Sequence, residues 1–287
     1  MSNRKNSRRL SLSLLGSVAE KLVLQVCLFA GSLLMLIPFI WMVSSALKQE
    51  SQVFTYPPQW IPDPVVWDNL RLAWNSFPMG RYYLNSLFIA SAIVVGQLLT
   101  GILAAYVFAR LRFPGKNIIF MGFVATMMIP RQVTMIPSFL ILRNLHWIDK
   151  YQGIIIPALS SPFGIFLLRQ FFLSIPTDLE DAACIDGCSR FGVLFRIILP
   201  LSKGVVSTLT VFVFMSSWNA FLWPLIVLNT QEKFTIQIGL AMLRDEMGTN
   251  WAILMAATFL ATLPVILLYL VAQKQIVRGI TLTGLKY

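Results

Sequence analysis

The chain has 287 residues, 57% of them hydrophobic and 12% charged, with a mean hydropathy of +0.73 and a formal net charge of +11. A soluble domain carries about 25% charged residues, so this composition excludes an ordinary soluble enzyme and indicates an integral membrane protein. Three scattered cysteines and a single histidine provide neither a disulfide framework nor the ligands of a usual metal site, and no cofactor is expected.

Residues 1–21 are polar and basic, with Arg4, Lys5, Arg8, Arg9 and Lys21. The apolar run over about 22–47 is too long for a signal-peptide core and has no convincing cleavage site, so it reads as an uncleaved first span. Residues 48–83 are rich in Trp, Pro and Asn. Their Trp60, Trp67, Trp74, Tyr82 and Tyr83 suit a membrane–water interface, a small extramembrane lobe, or both. A second span covers 84–109 and is followed by a loop, 110–117, with three cations and no acid. A third begins near 118 and is expected to end or kink near Pro130, with a short amphipathic helix lying beyond it on the far surface. The fourth, 153–172, is interrupted by Pro157, Pro162 and Gly164. The fifth and sixth cover about 204–228 and 251–273, and 274–287 form a basic tail. Each run has roughly the 20 apolar residues a bilayer requires. The expected fold is therefore all-α, with a six-span domain over 22–273.

Between the fourth and fifth spans, residues 171–204 hold four of the chain's twelve acids: Asp178, Glu180, Asp181 and Asp186. The pattern is helix, sharp turn, helix. Thr177 and Glu180 have capping-box spacing. Gly187 stands where a left-handed residue ends a helix. Phe191, Leu194, Phe195 and Ile198 are expected on one face of the second helix, and Pro200 ends it or begins the next element.

Six spans put both termini and this hairpin on one side. That side holds 15 of the 23 Lys and Arg residues, and the other holds 8. By the positive-inside rule both termini and the hairpin are cytoplasmic. The basic charge is then a matter of topology, which argues against nucleic acid as a partner.

No catalytic set is present. Gly115-Lys116 has Arg110 and Asn117 where a phosphate-binding loop needs Gly and Ser or Thr. There is no Ser-His-Asp set, and no acid lies within a span, which disfavours a proton-coupled secondary carrier. The fifth span is the most polar at depth. Ser216, Asn219 and Trp223 fall at i, i+3, i+7 on one face, with Trp218 beside them and Pro224 positioned to kink the helix. Amide and indole side chains match the hydroxyls and C–H faces of a carbohydrate, and equally serve as glue between helices. Arg131 and Gln132 beside Pro130 form a second candidate pair, read more readily as a polar outer helix end.

Asp181-Ala182-Ala183-Cys184-Ile185-Asp186-Gly187-Cys188 resembles the EAA loop of ABC importer permeases, whose usual pattern is E-A-A-x-x-D-G-A. Here Asp181 replaces Glu and Cys188 replaces Ala. NSLFIASAIVVGQLL, AAYVFARLRFPGK, MIPRQVTMIPSFLIL, SPFGIFLLRQFFLSIP and SSWNAFLWPLIVL look like successive segments of the sugar-type permeases, with Ala220 where the last usually has Glu. LPVILLYLVAQKQIVRGITLTGLK is similar to their last span and tail. The resemblance implies a permease subunit of the bacterial inner membrane that moves a sugar or oligosaccharide by alternating access. It implies cytoplasmic ATPase subunits docked on Glu180, Asp181, Ala182, Ala183, Asp186 and Gly187, a second permease, and an extracytoplasmic sugar-binding protein. A polyol, a glycerol phosphate or a peptide are alternative cargoes.

Overall fold

A computed structural model describes residues 3–244 and 249–284, with side chains over 20–244 and 249–274. Every regular element among them is helical. In chain order these are α1 (Asn3–Ala46), α2 (Asp68–Asn75), α3 (Met79–Arg110), α4 (Lys116–Thr126), α5 (Arg131–Asn144), α6 (Gln152–Ile155) and α7 (Pro162–Ser174). Then follow α8 (Asp178–Ile185), α9 (Arg190–Val193), a π-helical turn (Leu194–Ile198), α10 (Leu199–Leu201), α11 (Lys203–Trp218), α12 (Leu222–Val227), α13 (Ile236–Met242) and α14 (Trp251–Gly284). The tail expected over 274–287 continues α14 as far as Gly284, and 285–287 lie outside the described residues.

Four helical segments are long and apolar enough to cross a membrane: Glu20–Ala46, Met79–Arg110, Gln152–Ser174 and Trp251–Lys274. Two bent pairs raise the number to as many as six: Lys116–Thr126 with Arg131–Asn144, bent by 98°, and Arg190–Leu201 with Lys203–Trp218, bent by 80°. The break expected near Pro130 is present, because Pro130 immediately precedes α5 and a proline disfavours helical geometry in the residue before it. The apolar run 204–228 is not one helix. It stops at Trp218 and resumes at Leu222. The break falls one turn ahead of Pro224, where the proline ring would meet the carbonyl of Ala220 and no N–H is available to bond it.

The chain divides into two compact units. In the first, residues 1–71 with 250–259, the loop after α1 folds back on that helix. Asn69 Nδ2 donates to the carbonyls of Ala46 and Lys48 at 3.0 and 2.7 Å. Lys48 is buried, donates to the Gln59 carbonyl, and sits 4.1 Å from the Trp41 ring centroid. Burial lowers its pKa. Trp41 of α1 and Trp60 of the loop meet edge to face at 5.3 Å, so the aromatic loop packs against α1. Glu50 accepts from the N–H groups of Trp251 and Ala252 at 3.0 and 2.9 Å, capping the start of α14 with a carboxylate.

In the second unit, residues 72–249 with 260–287, α3 packs chiefly on α7 and α11. Ala90 and Ala105 on α3 are fully buried, as are Leu168 and Phe172 on α7 and Leu209 on α11. Small residues on one helix admit the bulk of the next. Tyr82, expected at an interface, is instead 2% exposed and part of this core. Trp218 is buried, stacks on Phe214 and donates to the Ala261 carbonyl at 3.1 Å.

The expected fourth span is broken between α6 and α7. Pro157 and Pro162 remove two donors, and Ser161 restarts the helix by accepting from Gly164 N at 3.4 Å. The exposed carbonyls are met from α3. Gln97 Nε2 donates to Ala158 at 2.8 Å and Thr100 Oγ1 to Leu159 at 2.6 Å. Gly96 permits this approach, since a Cβ there would lie 2.2 Å from Leu159 Cδ2.

Candidate functional site

Two features stand out in the second unit: the helical hairpin and a cavity among the helix breaks. The turn of the hairpin is a Schellman motif. Cys188 N–H donates to the Ala183 carbonyl at 2.9 Å and Gly187 N–H to Cys184 at 3.1 Å, with Gly187 at φ +80°. The capping box does not form. Thr177 has helical dihedrals of −66° and −27°, and its side chain caps nothing. Glu180 turns inward instead, 2.5 Å from Arg110 Nε, the two side chains being 13% and 9% exposed. Burial pushes the Glu180 pKa up, more than Arg110 pulls it down. Arg110 Nη2 also donates to the Ile175 carbonyl at 2.7 Å, and Tyr106 Oη to Arg190 at 3.2 Å. The hairpin is thereby fastened to the C-terminal end of α3.

Asp181, Ala182, Asp186 and Gly187 are exposed, and Ala183 is half-buried. Beside them stand Ile185 and Phe191, 86% and 68% exposed. The second helix does not present a single bulky face. Leu194 and Ile198 are buried, whereas Phe191 and Phe195 point outward. Residues four apart share a helical face, which separates the two pairs. The π-helical turn ends just before Pro200, whose missing N–H leaves the ordinary helical bond to Arg196 unmade.

Two adjoining cavities of about 380 and 610 Å³ share Arg131, Ile154, Pro157, Ala158, Ser216, Ala220 and Trp223 in their walls. The size suits a small molecule. Residues 126–131, 154–163 and 216–224, three proline-interrupted segments, all contribute. Irregular backbone at membrane depth is tolerated where it lines such a space. On α3, Ser86, Ile89, Ile93 and Gln97 complete the larger cavity. Trp223 is held by donation from Nε1 to the Gly153 carbonyl at 3.3 Å.

Ser216 and Trp223 therefore meet at one cavity, though on two helices rather than one face of a single helix. Asn219 does not join them. It is the exposed C-cap of α11 and accepts from Gln237 Nε2 at 3.4 Å. Arg131 and Gln132, read from sequence as a helix end, both line the cavity. Arg131 is the one charged residue in either wall among the described residues. The signal that locates it is the set of prolines inside apolar runs, because the breaks they impose converge.

Away from the cavity, Asp149 ties two loops together. At φ +58° it accepts from Asn229 N and Thr230 N, each at 3.0 Å, from Thr230 Oγ1 at 2.5 Å and from Lys233 Nζ at 2.7 Å. Partial burial acts to raise its pKa, but these donors outweigh it and hold the carboxyl well below the usual carboxylate range.

Residues 97–282 match the family described as binding-protein-dependent transport system inner membrane component. The chain is 38% identical over 258 residues to the arabinooligosaccharides transport system permease protein of Bacillus subtilis (strain 168), covering 89% of this chain and 92% of that one. It is 35% identical to the sn-glycerol-3-phosphate transport system permease protein of Yersinia pestis bv. Antiqua (strain Antiqua), covering 89% and 94%. Among solved structures it resembles a chain of a bacterial ABC transporter involved in import of the acidic polysaccharide alginate, with a TM-score of 0.76, 26% identity, and 88% and 95% coverage. With its bent and apolar helices and its hairpin, this chain belongs to the family of inner-membrane components of binding-protein-dependent transport systems, and is a multi-pass permease subunit.

Proposed function

We propose that the chain is one permease half of an ABC importer for a saccharide or a related polyol. Both termini and the hairpin face the cytoplasm, where a partner ATPase supplies the energy that this chain cannot draw from ATP. A second permease completes the pathway, and an extracytoplasmic binding protein delivers the cargo. The observation that carries this reading is the hairpin. Its exposed Asp181, Ala182, Asp186 and Gly187 share the hairpin with Ile185 and Phe191, two large apolar side chains left open for a partner to cover. Its inward side is fixed to α3 by the Arg110–Glu180 pair. α3 continues to the cavity, where Ser86, Ile89, Ile93 and Gln97 form a wall. Closure of an ATPase pair beneath the hairpin would be carried along α3 to that wall, which is the displacement alternating access requires.

The relatives' own cargoes, arabinooligosaccharides and glycerol phosphate, support a polyhydroxylated substrate. Reconstitution with the neighbouring transport subunits tests the reading. A saccharide or polyol presented with its binding protein should stimulate ATP hydrolysis and drive uptake. Uptake by the chain alone, without ATPase subunits, would overturn it.

A further inference from the structure

We infer that the cavity selects an anionic cargo, a saccharide or polyol bearing a carboxylate or phosphate, and that Arg131 is the residue that reads the negative charge. The inference rests on the importer reading above and narrows its substrate class.

The cavity walls carry one cation and no anion among the described residues. Arg131 belongs to the walls of both cavities, and it takes part in neither of the chain's described ion pairs, Arg110–Glu180 and Lys233–Asp149. Arg131 opens α5 directly after Pro130, at the 98° bend from α4, so the charge sits beside a break that borders the cavity rather than within a continuous helix. A cation lining a space inside a membrane domain is costly unless a counter-charge or water meets it, and such residues mark substrate pathways. The remainder of the lining fits the neutral part of such a cargo. Ser216 and Gln97 supply hydrogen-bonding groups, and Trp223 supplies a flat apolar face. A guanidinium pairs with a planar carboxylate or a phosphate through two parallel N–H donors, an arrangement a lysine cannot copy in full.

The test uses the reconstituted complex with its partner subunits and compares three chains: parent, Arg131→Gln and Arg131→Lys. The probes are matched pairs, a uronate oligosaccharide against its neutral counterpart and glycerol phosphate against glycerol. Uptake is read as the anionic-over-neutral ratio, with subunit stoichiometry recorded for each variant. The parent should prefer the anion in one pair, and that pair identifies carboxylate or phosphate as the charged group. Arg131→Gln should lower the preference at least about tenfold, through KM more than kcat, as loss of one charge-assisted contact does. Arg131→Lys should restore part of it. A parent that transports the neutral partner equally well or better, or a ratio that Arg131→Gln leaves unchanged, overturns the inference while leaving the importer intact. Failure of all four cargoes to be taken up or to stimulate ATP hydrolysis would overturn the importer reading for this cargo class, and the inference with it.

Discussion

Replacing Gly187 with valine probes the turn of the hairpin without touching its packing. A Cβ at this position meets nothing within 4 Å, so the cost is not steric crowding with neighbours. It arises from the backbone, which holds φ at +80°. An L-residue in the left-handed region costs about 1–2 kcal/mol, and β-branching places valine at the upper end. The turn can escape the strain only by opening, which gives up the bonds from Cys188 to Ala183 and from Gly187 to Cys184. Two such bonds are worth about 1 kcal/mol each. Either route therefore costs about 2 kcal/mol, which reduces the population of the docking geometry roughly thirtyfold. Membrane insertion should be unaffected, because each span satisfies its backbone internally or through its neighbours. Gly187→Asn should be milder, since asparagine enters the left-handed region more readily. The assay is pull-down of the ATPase subunit together with uptake, run in parallel on parent, valine and asparagine chains. If the valine chain retains its ATPase and transports like the parent, the hairpin is not the docking element.

Three further outcomes follow from the geometry. Arg110→Met strands the inward carboxylate of Glu180 and should weaken ATPase coupling by roughly 3 kcal/mol, whereas adding Glu180→Leu should recover much of the loss, because removing a buried pair together is cheaper than removing one member. A double-mutant cycle on ATPase affinity measures this, and a double variant as impaired as the single would contradict it. Asp149 contributes stability that is complete above an unfolded carboxylate pKa of about 4 and fades as pH falls through its lower folded value. Thermal unfolding in detergent should therefore be acid-sensitive in the parent and flatter below about pH 4 in Asp149→Asn, and parallel profiles would remove the Lys233 pairing from the account. Trp223→Ala should reduce cargo uptake about tenfold through lost apolar contact, while Asn219→Ala, outside the cavity wall, should have little effect. Uptake kinetics that reverse this order would restore Asn219 to the path.

Periodicity and length made the helical membrane architecture legible, because a bilayer admits few alternatives to a long apolar helix. The turn at Gly187 was equally readable, since a glycine just past the end of a short helix has a narrow set of uses. What escaped was decided by tertiary partners. Glu180 has capping-box spacing, but Arg110 lies seventy positions earlier in the chain and captures its carboxylate. Ser216, Asn219 and Trp223 share a face only on an unbroken helix, and Pro224 moves the break ahead of itself to a place that spacing alone does not indicate. Arg131 resembled a helix end because it is one. That the same end borders a cavity depends on where two other broken segments arrive.

The joint between α3 and the interrupted segment that follows it also constrains the order of synthesis. An uninterrupted span can enter the bilayer alone, since its hydrogen bonds close within itself. Gln152–Ser174 does so at a greater cost, because the carbonyls of Ala158 and Leu159 take their donors from Gln97 and Thr100. The donors precede the acceptors in the chain, so the helix that bears them is already made when the interrupted segment leaves the ribosome. A circular permutation that placed residues 152–174 ahead of α3 would keep every contact of the finished protein, yet would ask two bare carbonyls to wait in hydrocarbon for their partners.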